Sequence, residues 1–381
     1  MSLYRQLRAQ PFNVRLAAVM VSIIAIGFLV VEGKELLSPI VFSCLFSILL
    51  LPLAAWLENR CRLSKGLAAM IAVLLLLSAI AGILYLVGAQ LSRLSDDWPL
   101  FKQQLNTTIS HFQRWVAHQF HITRYEQQGY VNSAKSQLLD TGSTVVGATL
   151  VSVSSMLLFL VFTFIYTFLF LVYRKLIMKF FVAVFRDENA AVVRDVVEQV
   201  QYIVRKYILG LLLEMAIVTA IVATAFSILG VKYAILLAVI TGLFNLVPYI
   251  GIFTALALSA LITLASSAAP GQAVLVIITL VATHLIDSNI LLPLIVGSKV
   301  RINALVTIIG VVIGEMLWGI PGMFLSVPII AVLKIIFDRV EPLKPWGMML
   351  GDEEKKKKER KLKKALAAVQ ETVEPENPEK I

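Results

Sequence analysis

Two apolar stretches in the second half of this chain, 232–265 and 302–338, are each longer than 30 residues and each broken by proline and glycine. A bilayer core takes about 20 helical residues, so neither stretch is one ordinary span. The first break is Asn245-Leu246-Val247-Pro248-Tyr249-Ile250-Gly251 and the second is Trp318-Gly319-Ile320-Pro321-Gly322. Proline removes a backbone donor and glycine loosens the helix, so each stretch reads as two half-helices meeting at a turn. Hydrocarbon offers freed backbone groups no partner, so such breaks are tolerated where they line a cavity or are buried in protein. A pair of them in corresponding positions points to a transport site.

Composition sets the class. Of the 381 residues 59% are hydrophobic and 15% charged, against roughly 25% charged in soluble domains. The chain reads as an all-α polytopic membrane protein. Apolar runs place full spans at 14–31, 36–57, 66–91, 149–173, 207–229 and 272–297, giving six spans plus two re-entrant broken-helix hairpins. The organisation follows: a three-span segment (1–91), an extracytoplasmic amphipathic segment (92–148) and a fourth span with a cytosolic amphipathic helix (149–206). A transport core (207–341) and a basic, disordered tail (352–381) complete it. The first apolar run starts near Leu16 and has no small-residue cleavage site after it, so it reads as a retained helix. Cys44 and Cys61 give neither a disulfide framework nor a metal spacing.

Basic residues orient the spans. Arg5, Arg8 and Arg15 precede the first; Arg60, Arg62 and Lys65 follow the second; Arg174, Lys175 and Lys179 follow the fourth. These places and both termini are therefore expected in the cytosol. If both broken stretches are hairpins, Lys299 and Arg301 fall inside as well; if both cross fully, they fall outside. The hairpin arrangement agrees with every basic cluster. It also makes 207–265 and 272–338 two units of one pattern in opposite orientation, an inverted repeat of the kind secondary transporters use. The net charge of +10 does not call for nucleic acid. Much of it lies in Lys355–Lys364, a topology anchor that also suits anionic lipid head groups.

Two further segments are amphipathic. Phe181, Phe185, Val192, Val196, Val200, Ile203, Val204 and Tyr207 recur at helical spacing among charges, which predicts a cytosolic helix over 181–207. Trp98, Phe101, Leu105, Ile109, Phe112, Trp115 and Val116 predict a similar helix outside, over 98–125.

Three ordered motifs carry a family resemblance. They are Gly242-x-x-Asn245-x-x-Pro248-Tyr249-Ile250-Gly251, the run from Asp287 to Gly297, and Gly319-Ile320-Pro321-Gly322-Met323-Phe324-Leu325-Ser326-Val327-Pro328. Together they resemble the autoinducer-2 exporter family of bacterial membrane proteins. The chain departs from the family at Leu292, where an acidic or polar residue usually precedes the proline. The resemblance implies a permease of the bacterial inner membrane. It would export autoinducer-2 or a related small polar solute, or exchange cations against sodium or protons. It also implies homo-oligomers, pentamers in particular.

Candidate site residues come from two sources. At the tips, Asn245, Pro248, Tyr249, Gly251, Gly319, Pro321 and Gly322 offer an amide, a hydroxyl and freed backbone groups to a solute, and Asn289 adds a second amide. Ionisable groups inside spans are costly and therefore suspects for ion or proton coupling: Glu214, His284, Asp287 and Glu315. His284 and Asp287 stand three apart on one helical face, a pair that either carries a proton or holds its helix to a neighbour. Catalysis finds little support. The histidines His111, His118, His121 and His284 form no metal motif, and no phosphate-binding glycine loop occurs. No enzyme activity, cofactor or metal is expected, although an intramembrane enzyme or scaffold stays as the third reading behind an exporter and a cation antiporter.

Overall fold

The computed structural model describes residues 11–120, 156–185, 189–247, 250–266, 270–295 and 302–351. Among them every regular element is helical. In chain order these are α1 (Phe12–Glu32), α2 (Lys34–Arg60), α3 (Lys65–Asp96), α4 (Trp98–Phe120) and α5 (Met156–Val184). Next come α6 (Ala190–Ile228), α7 (Ala234–Asn245), α8 (Ile250–Ser266) and α9, which runs Pro270–Ile286, passes through a π-helical turn at Asp287–Leu291 and closes with Leu292–Ile295. Then follow α10 (Ala304–Trp318), α11 (Ile320–Arg339) and a short α12 (Lys344–Leu350).

Seven of the described helices are long and apolar enough to cross a bilayer. Six correspond to the expected spans, and α11, at 20 residues, is the seventh. Both long apolar stretches break where expected. The chain leaves α7 at Asn245 and re-enters helix at Ile250; it leaves α10 at Trp318 and re-enters at Ile320. Gly319 makes the second turn with φ 65°, a backbone conformation that side chains disfavour.

Small residues hold each hairpin closed. A Cβ on Gly251 would stand 1.9 Å from the Phe244 carbonyl oxygen, so α7 and α8 touch backbone to backbone at their neck. In the second hairpin Gly314 and Gly322 face each other; a Cβ on Gly322 would lie 2.0 Å from the Gly314 oxygen. The tip residues Pro248 and Tyr249 lie outside the described residues, as do 121–155 and the basic tail 352–381.

The amphipathic segment 181–207 is divided differently from the expectation. Residues 181–184 finish α5, 186–188 lie outside the described residues, and 190–207 are continuous with the following span in α6, 39 residues long. At 1.5 Å per residue α6 reaches about 58 Å, roughly twice a hydrocarbon core, so one end projects beyond it. Nothing between Ala190 and Ile228 breaks a helix except Gly210, and an apolar context carries the helix through that glycine. Arg339, at the end of α11, pairs with Asp195 on the projecting part. Of the outer amphipathic segment, Trp98–Phe120 is helical as expected and 121–125 lies outside the described residues.

Three apolar clusters order the bundle. One joins α2, α3 and α5 through Ala54, Ala69, Ala72, Phe164 and Leu171. Another joins one half of α6 to α11 and α2, with Tyr207, Leu211, Leu325 and Leu45 at its centre. The third joins the other half of α6 to α7, α8 and α9, with Val222, Phe226, Leu237, Ile262 and Leu280 buried, and Phe101 of α4 caps it. Helix α6 is thus the post on which both hairpins rest. Gly242 lets α7 approach closely, since a Cβ there would stand 2.0 Å from the Thr219 hydroxyl. Leu246, beside the first tip, packs on the same cluster as Trp318, beside the second.

Candidate functional site

The buried stripe of α6 is apolar except at one position. Val204, Tyr207, Leu211, Val218 and Val222 surround Glu214, which is 3% exposed. The buried stripe of α9 is interrupted in the same way. Ala273, Val276, Leu280 and Thr283 lead by steps of three and four to Asp287, which is 5% exposed. Asp287 opens the π-helical turn, a wider turn that is rare and often found at functional sites.

Between these two carboxylates stands Asn245, the last residue of α7. Its Nδ2 donates to Glu214 Oε1 at 3.1 Å and to Asp287 Oδ2 at 3.1 Å. The other oxygens, Glu214 Oε2 and Asp287 Oδ1, are buried and have no donor. No Lys, Arg or His is paired with either carboxylate among the described ion pairs. Two carboxylates so placed in a low-dielectric interior repel each other and have no counter-charge among the described ion pairs. A proton or a small monovalent cation between them would cancel one of the two charges and bridge the free oxygens. Among the described residues no group of three or more His, Cys, Asp or Glu side chains is placed to hold a metal ion.

The sequence-based candidates separate. Glu214, Asn245 and Asp287 come together. His284 does not join Asp287; its Nε2 lies 3.3 Å from Ser288 Oγ and its Nδ1 has no partner. The carboxylate of Asp287 instead turns to α7 and α6. Asn289 is exposed and donates to the Leu285 carbonyl of its own helix. Glu315 is exposed on α10. Gly251 and Gly322 serve as close-contact points of the hairpins, Gly319 as the turn, and Pro321 starts α11 on an exposed side. Pro248 and Tyr249 lie outside the described residues.

A second polar constellation, which sequence reasoning missed, sits at the end of the bundle where α3 turns into α4. Lys232 Nζ lies 2.7 Å from Asp97 Oδ2, and the Tyr233 hydroxyl donates to the same oxygen at 2.6 Å. The bond from Lys232, then that from Tyr233, holds the Asp97 carboxyl below the usual range; burial and the Asp97 charge push the Tyr233 phenol up. Beside this clasp is a cavity of about 370 Å³, lined by Phe101, Gln103 and Gln104 of α4, Lys232 and Tyr233 before α7, and Ser266 at the end of α8. Asp97 and Lys232 are 135 positions apart, and a single sequence gives no signal that pairs them.

Comparison with known proteins follows the same lines. The model described as AI-2E family transporter matches residues 16–341. YrrI of Bacillus subtilis is 28% identical over 319 residues, covering 80% of this chain and 86% of its own length. YhhT of Escherichia coli K12 is 23% identical over 319 residues, covering 84% and 89%. Both are named as candidate transport proteins. PerM of the same strain, named as a candidate permease, is 25% identical over 204 residues, covering 53% and 58%.

Proposed function

The chain belongs to the AI-2E family of transporters, a family of transport proteins rather than enzymes, and from that premise we propose that it is a secondary exporter driven by a cation. The cargo is a small polar molecule such as autoinducer-2 or a related metabolite. The coupling cation, a proton or sodium, is held by Glu214 and Asp287 with Asn245 as their shared donor. The observation that carries this reading is the single amide bridging two buried carboxylates, each left with one oxygen free. Asn245 ends the first arm of a broken helix, so occupancy of the carboxyl pair is felt directly at the tip of the first hairpin.

The two hairpins act as gates that enter from opposite faces of the inner membrane, with both termini in the cytosol and the basic tail on anionic lipid. The assembly is a homo-oligomer, a pentamer by family resemblance. Cysteine placed at Ser267 is expected to label from outside and at Ser298 from inside; labelling of both from one side would remove the paired hairpins. The free carboxylate oxygens also favour a second reading, a cation antiporter with no organic cargo.

One experiment separates these readings. The full-length chain in proteoliposomes is given a pH or sodium gradient while labelled solute, sodium and proton fluxes are followed. Solute movement driven by the gradient, lost in Asp287→Asn and Glu214→Gln, supports the exporter. Opposed sodium and proton fluxes without solute support the antiporter. Equal fluxes in wild type and both variants contradict the role given to the carboxyl pair.

A further inference from the structure

Two hydroxyls deep in α8 have no part in the site described above. Ser259 is 0% and Thr263 1% exposed, and neither hydroxyl oxygen has a hydrogen-bond partner. Other buried hydroxyls of this chain bond back to the carbonyl one turn earlier, as Thr163, Thr167, Thr241 and Thr283 do. That is the ordinary way a helical Ser or Thr satisfies itself. A buried hydroxyl left without a partner is costly and calls for a water or an ion beside it.

Their position gives the line a direction. Ser259, Thr263 and Ser266 stand at i, i+4 and i+7, on one side of α8. Ser266 lines the cavity beside the Asp97 clasp. Ile262, on the same side of the helix, packs into the cluster shared by α6, α7 and α9. Ser259 lies about 10 Å from Ser266 along the axis, towards the hairpin tip. On the other helices of that cluster, buried Thr241 precedes Asn245 by one turn and buried Thr283 precedes Asp287 by one turn.

We infer that Ser266, Thr263 and Ser259 line the entry path by which a proton or small monovalent cation, carried by water, passes from the cavity to Glu214 and Asp287. The inference rests on the coupling role proposed for that carboxyl pair. Asp97 gives the mouth of the path a carboxylate, and the neighbouring Lys232 is held by it, which lowers its repulsion of an arriving cation. By the basic-residue orientation the mouth faces outside, so the path would admit the external cation.

The test uses the full-length protein in proteoliposomes, with sodium and proton fluxes followed as separate arms. Ser259→Ala with Thr263→Val keeps the side-chain volumes but removes both hydroxyls. The arm that carries the coupling cation is expected to fall about tenfold, the rate equivalent of one lost bridging hydrogen bond, while Thr263→Ser retains its flux. As a second readout, Ser259→Cys is placed in a background with Cys44→Ser and Cys61→Ser. Silver ion, a thiol-reactive monovalent cation small enough for the path, is added on the cavity side and is expected to modify the introduced thiol. Wild-type flux in both arms of the double variant, or a thiol that stays unmodified, would overturn the path. The thiol readout needs no coupled transport. A modified thiol together with normal flux in Asp287→Asn would therefore uphold the path and remove the coupling role instead.

Discussion

Three residues before its tip proline the first hairpin carries Asn245, and the second carries Trp318. The two positions match in the chain but face different chemistry. Asn245 reaches into the bundle and joins two buried carboxylates, one from α6 and one from α9. Trp318 donates its ring N–H outward to the Val30 carbonyl of α1 at 2.9 Å, and α1 buries none of its apolar window in the chain. The necks of the hairpins are alike, each a glycine contact between backbones. The same architecture therefore gives one hairpin whose tip amide bonds two buried carboxyls and another whose tip is tied to a peripheral helix. Hairpin geometry sets where each tip meets the bundle, and one side chain at the tip decides what it touches there.

That contrast breaks most readily at Asn245. Replacing it by Leu leaves Glu214 and Asp287 buried without their common donor, which should destabilise the protein by about 3 kcal/mol. Gradient-driven flux should fall to the level of empty vesicles. Thermal melting in lipid nanodiscs and the proteoliposome assay check the two effects. A melting midpoint like that of wild type would mean that the amide is not the link between the acids.

The necks come next in size, and here the hairpins should behave alike. Gly251→Ala and Gly322→Ala each force a methyl against a backbone oxygen about 2 Å away. Each should cost about 2 kcal/mol, as overpacking of a close contact does. A large loss at one neck and none at the other would show that the hairpins are not closed by the same device.

The places of the helix breaks and the six spans were legible in the sequence because proline, glycine and apolar run length act locally. Glu214, Asn245 and Asp287 were legible one at a time, as polar residues in costly places. Their union was not, because Asn245 is 31 positions from Glu214 and 42 from Asp287. Helical spacing instead joined Asp287 to His284. The fold turns Asp287 into the bundle, where the amide of another helix reaches it, and leaves His284 with Ser288. The amphipathic run before α6 was visible, but its fusion with the span was hidden. An amphipathic period and an apolar run look like two elements, while an unbroken helical backbone makes them one.

Smaller effects sharpen the contrast further. Trp318→Phe keeps an aromatic ring but loses the indole N–H and its bond to α1, so it should cost about 1 kcal/mol and leave the flux of the coupling cation unchanged. A flux loss as great as that of Asn245→Leu would make the second tip a sensor too. Smallest is the Asp97 clasp. Its carboxyl is held below the ordinary range, so the stability it adds is complete above the unfolded value near pH 4 and lost as pH falls through the lower folded value. Asp97→Asn should lower the melting midpoint slightly at pH 7 and leave it unchanged at the most acidic pH the protein tolerates.

If Glu214 and Asp287 form one cation-responsive pair, their carboxyl groups must register the arrival of the cation. Infrared difference spectroscopy of the full-length protein in lipid, on adding sodium or changing pH, reads carboxyl groups directly. Such a pair should give a change in the carboxyl stretching bands that is lost in Asp287→Asn, lost in Glu214→Gln and altered in Asn245→Leu. An identical difference spectrum in wild type and in the Glu214→Gln/Asp287→Asn double variant would contradict it.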